Sequence, residues 1–393
     1  MQWREATEIE GNSIRVPPTW LDLYYYEALN ILFRFENSLR IFAYIILKKE
    51  LGEKWDNAAI SGNSTIRSET KKRLAQAREH GYLGYEVSSP MLYLNSGELT
   101  TIITSEAYWK HFAPYFKATK QIILNKLNEI GTVRNSLAHF RPLKKDDLDL
   151  IKQNTKHVLL EIETCIDRIN SISSATPTNS DSEWYKKLSS IKNEVVEISL
   201  FQSQDQQWVR TEIGFKTPLL EKNQFGTHYF YYQLGKFRTE EMLKRYDSIR
   251  NACICVSEMP AFGNISNNHD VVFDQKISVI FHQKNLSDGI ELIFNDFTEI
   301  AEKVEREVAL LHEDRLTLGD LVKSESANAS FVTNVESPFW SLNISSLNTP
   351  LESVDSIEFW GHRYHFSSNF VTDTNHYPWM PTAVSKPAWS GIQ

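Results

Sequence analysis

Three side chains with complementary chemistry lie within six residues of one another in the segment 133–143, Val-Arg-Asn-Ser-Leu-Ala-His-Phe-Arg-Pro-Leu. Arg134 is a permanent cation, Asn135 is an amide, and His139 is an imidazole. A guanidinium can neutralise charge that builds on phosphorane oxygens, and an imidazole can transfer a proton near neutral pH. These groups suffice to cleave an RNA phosphodiester through its own 2′-hydroxyl, a reaction that needs no metal ion.

The elements that must position these residues are predicted to be helices. Apolar residues recur at three- and four-residue steps towards the motif, at Ile123, Leu127, Ile130 and Leu137. Gly131 interrupts this pattern at a cost of about 1 kcal/mol relative to alanine. Periodicity predicts further helices over Trp20–Leu51, Ser68–His80 and Asp146–Asn170, whereas the composition of residues 81–100 predicts a loop or short hairpin. The predicted fold class is therefore an all-α helical bundle at the N-terminus, followed by a mixed α+β domain.

The domain boundaries follow from composition. Residues 1–175 are predicted to form the helical domain, and a Ser/Thr/Pro/Asn-rich stretch predicts a linker over 176–183. In residues 184–393, runs of β-branched and aromatic residues alternate with turn residues, which predicts the α+β domain. Its predicted strands are Glu194–Leu200, Tyr229–Leu234, Ala252–Val256, Val271–Phe281 and Ile290–Phe294, and its predicted helices are Trp184–Asn193, Thr239–Arg250 and Phe297–Leu311.

Composition and charge limit the possible partners and the cellular compartment. The formal net charge is −8, and the acidic excess lies beyond residue 175, which argues against a generally basic nucleic-acid coat. The segment Lys110–Lys156 is locally basic and surrounds the motif; Arg141, Lys144 and Lys145 are its candidate RNA-binding residues. Three cysteines indicate a reducing compartment, and neither a signal peptide nor a membrane-spanning run is apparent, so a cytoplasmic protein without membrane contact is predicted.

The helical pattern and the Arg-Asn-x-x-x-His run together resemble the HEPN superfamily of ribonucleases. Arg134, Asn135 and His139 match the signature of that family, with four residues between arginine and histidine. The flanking Ser-Leu-Ala-His-Phe and Pro142 look like the versions found in RNA-cleaving toxins and abortive-infection proteins. The segment Phe35-Glu36-Asn37-Ser38-Leu39-Arg40 is similar to an early-helix segment of such proteins, in which an acidic residue can support the site.

The resemblance implies a metal-independent endoribonuclease without a cofactor, in a toxin or phage-defence setting. It implies a homodimer in which two Arg/His motifs face each other and form one composite site. Geometry agrees, since Arg134 and His139 are about 140° apart on an ideal helix, whereas Asn135 and His139 share a face. His139 is expected to transfer protons, Arg134 to contact the scissile phosphate, Asn135 to orient either group, and Glu36 to support them. RNA (tRNA or mRNA) is the expected substrate, with a trigger or antitoxin as a further partner.

Other interpretations of these residues stay open. Arg134 could form a structural ion pair with Glu36, and His139 could be a helix C-cap residue stabilised by the helix dipole. The chain would then be a non-catalytic dimerisation module whose C-terminal domain binds a protein or small ligand. Elsewhere, Cys253 and Cys255 fit core packing better than a metal site, and His362-x-x-His365 with Asp373 and His376 fits an aromatic strand better. Tyr229–Tyr232 and Phe339–Trp340 fit a core better than a base-stacking surface.

Overall fold

The structure is a computed structural model that describes residues 7–9, 13–15, 23–80, 90–170, 172, 178–258, 262–265, 271–313, 317–333, 338–344 and 361–362. The described residues fall into two compact units, one ending at Ile169 and the other beginning at Asn170. The predicted domain limits at residues 175 and 184 stay predictions.

The first unit is mainly helical. Its elements are β1 (Thr7–Ile9), β2 (Ser13–Arg15), α1 (Leu23–Leu51), β3 (Ala59–Ser61), β4 (Ser64–Thr65), α2 (Ile66–His80), α3 (Ser96–Thr104), α4 (Trp109–Phe112), α5 (Lys120–Ala138) and α6 (Lys145–Asn170). The helices predicted over Trp20–Leu51, Ser68–His80 and Asp146–Asn170 are confirmed as α1, α2 and α6, because their apolar spacing matches the helical repeat.

The predicted fold class is wrong, because the N-terminal part is not all-α and the chain is of mixed α/β class. β1 pairs with β2, and β3 pairs with β4, in two antiparallel hairpins. The β3–β4 turn contains Gly62 at φ +53°, a left-handed conformation that glycine adopts without steric cost. Two-residue hairpin turns favour such a residue, and the Ser-Gly-Asn-Ser sequence is the local signal for this one.

Helix α5 carries the motif, and a buried stripe fixes its orientation. Ile123, Leu127, Ile130, Val133 and Leu137 are buried along one face. Their three- and four-residue steps match the helical repeat, so the face between them, which includes Arg134, turns away from the core. The Tyr25 hydroxyl on α1 donates a hydrogen bond to the Leu137 carbonyl and ties the end of α5 to α1.

The second unit combines helices with two large sheets. Its elements are α7 (Glu183–Leu188), β5 (Val196–Gln202), β6 (Trp208–Thr217), β7 (Leu219–Gln224), β8 (Tyr229–Phe237), α8 (Thr239–Arg245), α9 (Asp247–Ala252), β9 (Cys253–Glu258), β10 (Phe262–Ile265), β11 (Val271–His282), α10 (Gln283–Asp288), α11 (Ile290–Glu313), β12 (Val322–Val332), β13 (Phe339–Asn343) and β14 (Gly361–His362).

The two sheets have different strand orders. One runs β14-β9-β11-β6-β5, with β10 also paired to β11, and the other runs β13-β12-β8-β7. All pairings are antiparallel except that of β14 with β9. Phe230 and Tyr232 of β8 pack with Phe273 of β11 in a buried cluster, so apolar side chains of both sheets share one core.

One predicted strand, Ile290–Phe294, is wrong, because these residues form the first turn of α11. A short apolar run has no period that separates a strand from a buried helix. The buried residues that follow, Phe297, Ile300 and Val304, keep a helical spacing from Ile293 and decide the outcome. Strands β6, β7 and β12 were not predicted, since polar residues interrupt their apolar alternation.

Candidate active site

Glu36 of α1 connects the motif to the interior of the first unit. Its Oε2 atom lies 3.6 Å from Nε of Arg134. Its Oε1 atom accepts a hydrogen bond from the Arg40 guanidinium, one turn further along α1. The carboxylate therefore lies between two cations and offsets their mutual repulsion. This is the ion pair that the sequence left open as a structural explanation for Arg134, and it also places Glu36 in direct contact with the motif.

Arg40 holds that carboxylate in place. Its Nη1 atom donates to Oδ1 of Asn37 over 3.0 Å, and its Nη2 atom donates to the Leu94 carbonyl over 3.0 Å. Burial lowers the pKa of Arg40, and the adjacent Glu36 acts in the opposite direction. An arginine stays protonated in proteins even so, which makes Arg40 a fixed buried cation. The sequence did not single out Asn37 and Arg40 for a role, although the four-residue spacing of Arg40 from Glu36 on one helix face was a usable signal.

A pocket of about 460 Å³ opens beside Arg134, between α5 and the start of α3. This volume lies within the range of small-molecule and cofactor sites, about 300–1,000 Å³. Its lining is mostly polar: Asn95, Ser96, Gly97, Thr100, Leu127, Asn128, Gly131, Thr132, Arg134 and Asn135. An alanine Cβ placed at Gly131 would have no neighbouring atom within 4 Å, so the helical glycine faces open space. Arg134 thus borders a cavity that can hold a polar ligand.

The α3 wall of this pocket was missed by sequence reasoning, which predicted a loop or hairpin over residues 81–100. The side chain of Asn95 accepts a hydrogen bond from the Glu98 N–H over 3.0 Å, and the Glu98 carboxylate accepts one from the Asn95 N–H over 2.9 Å. This reciprocal capping box starts the helix. The spacing Asn-x-x-Glu before an apolar run was the signal that could have located it.

Asn135 and His139 lie on the exposed side of the end of α5. The Asn135 side chain is exposed, and its Oδ1 atom is 3.5 Å from Nη1 of Arg134. His139 is the C-cap residue of α5, as one open interpretation held, and its side chain is exposed to solvent. Arg134 and Asn135 line the pocket, whereas His139 is not one of the described residues that line it. Within one copy, the guanidinium therefore borders the pocket, and the imidazole lies outside its described lining.

The basic residues around the motif divide into paired and unpaired sets. Lys117 binds Glu161 at 3.1 Å, and Lys152 binds Glu27 at 2.5 Å, so these two are parts of ion pairs. Arg141, Lys144 and Lys145 are exposed, and none of the three forms an ion pair with a described residue. The three predicted RNA-binding residues thus place three exposed positive charges after His139, and the acidic residues Asp146 and Asp147 follow them in the first turn of α6.

Most of the remaining sequence candidates are structural where the structure describes them, but Tyr229 and Phe339 of the aromatic clusters are exposed. Cys253 is buried. Burial of Cys255, with a smaller contribution from the neighbouring Cys253, raises the pKa of the Cys255 thiol to about 12, so this thiol stays protonated. Phe230 and Tyr232 are core residues, and Trp340 packs against them. Residues 365, 373 and 376 of the histidine-rich segment lie outside the described residues. Within the described residues, no group of three or more His, Cys, Asp or Glu side chains is arranged to hold a metal ion.

Comparison with known proteins adds no assignment. No protein-family model matches the chain, and neither a curated protein nor a solved structure is significantly similar to it. Among the helices of the described ranges, none combines the length and apolarity that crossing a bilayer requires. The geometry around Arg134 is therefore the main guide to function.

Proposed function

We propose that the protein is a cytoplasmic, metal-independent endoribonuclease that acts as a homodimer in phage defence or as a toxin. The observation that carries this proposal is the position of Arg134. Its guanidinium is oriented by Glu36 at 3.6 Å and borders a polar pocket, with the amide of Asn135 beside it. A guanidinium held at the edge of a cavity is suited to stabilise charge on a phosphate, because little reorganisation is needed when the charge develops.

The proposed reaction is an intramolecular transesterification. The ribose 2′-oxygen attacks the adjacent phosphorus, the bond from phosphorus to the 5′-oxygen breaks, and the products carry a 2′,3′-cyclic phosphate and a 5′-hydroxyl. The imidazole of His139 accepts the 2′-hydroxyl proton and later releases it to solvent, and the departing 5′-oxygen takes a proton from water. Arg134 neutralises the phosphorane, Asn135 orients the phosphate or the imidazole, and Arg141, Lys144 and Lys145 attract the RNA backbone.

A two-fold pair of chains brings the imidazole of one copy to the guanidinium of the other. Within one chain His139 points to solvent at the end of α5, whereas Arg134 borders the pocket. A second copy that places its own His139 opposite the first would bring two guanidiniums and two imidazoles to one phosphate. The second unit, with its acidic excess, would sense a trigger, bind an antitoxin or restrain the nuclease, since an acidic surface repels RNA.

The proposal is tested by cleavage of total cellular RNA in the presence of EDTA, with growth of expressing cells as a second readout. We expect wild-type activity to resist the chelator and to fall by at least a hundredfold in Arg134→Ala and in His139→Ala. His157→Ala, which removes an exposed histidine on α6, is the matched control and should cleave as wild type does. Gly131→Trp, which fills the pocket and leaves the motif intact, should also reduce cleavage.

Circular dichroism establishes that each variant folds. A requirement for a divalent metal, or equal cleavage by the wild type and both motif variants, would contradict the mechanism. Cleavage products that lack a cyclic phosphate would also contradict it.

A non-catalytic dimerisation and binding module is the second candidate. It is favoured by the structural roles that both residues already have, Arg134 as an ion-pair partner of Glu36 and His139 as the C-cap of α5. In that case the polar pocket binds a ligand, and wild type and variants are equally inert towards RNA. Loss of folding stability in Arg134→Ala, without any RNA cleavage by the wild type, would favour this candidate.

A further inference from the structure

Phe140, the residue after His139, has an unusual backbone conformation. It adopts φ +55°, in the left-handed region that bulky residues rarely enter. Its N–H donates to the Leu137 carbonyl over 3.0 Å, and the Arg141 N–H donates to the Ser136 carbonyl over 2.9 Å. These two bonds define the Schellman ending of α5, in which glycine is the preferred residue at this position. A phenylalanine here therefore costs free energy that a glycine would save.

The Phe140 side chain does not recover that cost by packing. Its relative exposure is 86 %, the highest among the exposed large hydrophobic residues of the described chain. An aromatic ring contributes to folding by burial, and this ring is almost entirely in water. Backbone strain and apolar exposure thus coincide at one residue. Non-glycine residues held in such conformations are concentrated at ligand-binding and active sites.

The neighbours of Phe140 indicate which kind of ligand the ring meets. His139, Arg141 and Lys144 lie within four residues of it in the chain and are exposed, and Arg141 and Lys144 form no ion pair with a described residue. A protein interface would surround a central aromatic ring with further apolar residues. A single ring among unpaired cations is instead the combination used by single-stranded nucleic acid sites, where the cations follow the phosphates and the ring stacks on a base.

We propose that Phe140 stacks on an unpaired base of the RNA next to the scissile phosphate. This inference rests on the proposed function, because it places that base beside His139. Stacking on one ring does not distinguish bases strongly, so it selects single-stranded or looped RNA over a duplex rather than a sequence. The strained conformation serves to project the ring away from α5 at the position where the helix ends.

The test separates stacking from a structural role because Phe140→Gly should change thermal stability and RNA affinity in opposite directions. Phe140→Gly relieves the strain, so we expect Tm to rise by roughly 1–3 °C. The same variant should bind a mixed-sequence, 2′-O-methyl 12-mer roughly 5- to 100-fold more weakly than wild type in fluorescence anisotropy. Phe140→Trp should retain the affinity, and Phe140→Asn, which tolerates the left-handed region, should lose it. Phe225→Ala, which removes a comparably exposed ring from the second unit, is the matched control.

An abasic 12-mer with the same backbone completes the test. Wild type should prefer the base-bearing oligomer, and Phe140→Gly should bind the two alike. If wild type cleaves RNA and Phe140→Gly binds the 12-mer as tightly as wild type, stacking is overturned and the nuclease stands. If wild type neither cleaves RNA nor binds the 12-mer, the proposed function fails and stacking fails with it. If Phe140→Gly changes the sedimentation of the free protein to that of a monomer, the ring belongs to an interface between copies, which also overturns stacking.

Discussion

Glu36 is the carboxylate that two neighbouring arginines share. Its two carboxylate oxygens face different guanidiniums, Arg40 and Arg134, so a single anion neutralises a pair of cations on two helices. Arg40 is further fixed by the Leu94 carbonyl, which leaves Arg134 as the exposed member of the network. The ion pair and the proposed catalytic role are therefore compatible, because an arginine that is held on one side can still present its other nitrogens to a phosphate.

Glu36→Gln tests this network by replacing one carboxylate oxygen with an amide group. The amide keeps the shape of the side chain and removes the charge between Arg40 and Arg134. We expect the free energy of unfolding to fall by about 1–3 kcal/mol, because a largely buried cation loses its counter-charge. RNA cleavage should fall as well, because Arg134 is no longer oriented. Urea denaturation and the cleavage assay measure the two effects.

Glu161→Gln is the matched control for this substitution. It removes a carboxylate whose partner, Lys117, is 86 % exposed, so the loss should be at most about 1 kcal/mol. Equal destabilisation by Glu36→Gln and Glu161→Gln would show that the Glu36 pair behaves as an ordinary surface ion pair.

At the scale of elements, replacing glycine by alanine should change stability in opposite directions at two positions. Gly131 lies inside α5 and faces open space, so Gly131→Ala should stabilise the protein by about 0.5–1 kcal/mol through helix propensity. Gly319 lies against Glu307 of α11, and an added Cβ would come within 2.5 Å of its Oε2 atom. That carboxylate cannot move away cheaply, because it accepts N–H donors from Asp320, Leu321 and Val322 over 2.8–3.0 Å.

Gly319→Ala should therefore destabilise the protein by about 1–3 kcal/mol. Thermal and urea unfolding of both variants measure the difference. A gain in stability from Gly319→Ala would show that the connection before β12 yields easily, and a loss from Gly131→Ala would show that the pocket wall is tighter than its geometry indicates.

The elements also show what a sequence can and cannot predict. The stripe Ile123, Leu127, Ile130 and Leu137 identified α5 correctly, because burial on one face imposes the helical period. The same reasoning failed at Ile290–Phe294, where the run is too short to have a period.

The motif residues were visible as residue types, whereas the contact between Arg134 and Glu36 joins helices about a hundred positions apart and depends on tertiary packing. The conformation of Phe140 was not predictable, since the Schellman ending favours glycine at that position.

At the scale of the whole molecule, charge is distributed unevenly along the chain. The net charge is −8, yet the residues that follow His139 provide unpaired cations at Arg141, Lys144 and Lys145. A polyanion such as RNA is repelled by the average charge and attracted by this segment. The proposed RNA binding should therefore depend on a small number of phosphate contacts, which agrees with local recognition of single-stranded RNA more than with a protein that coats long nucleic acids.

The proposed dimer gives the last prediction, because a dimer allows one chain or both chains to contribute to each reaction. Arg134 borders the pocket and His139 does not, so we expect the guanidinium of one copy to act with the imidazole of the other. Arg134→Ala and His139→Ala should each be inactive alone. When the two variants are co-expressed, or mixed after reversible dissociation, statistical pairing makes half of the dimers mixed. Each mixed dimer retains one Arg134 and one His139, on different chains.

Cleavage should therefore return in the mixture to a substantial fraction of the wild-type rate, and its amplitude should follow the fraction of mixed dimers measured by native mass spectrometry. A double variant, Arg134→Ala/His139→Ala, mixed with wild type is the control, because its mixed dimers carry both groups on one chain. If mixed dimers form and the two single variants stay inactive together, while the control mixture cleaves faster than its wild-type dimers alone account for, both groups act from the same chain. The composite site would then be excluded, because the two side chains would have to converge within one copy.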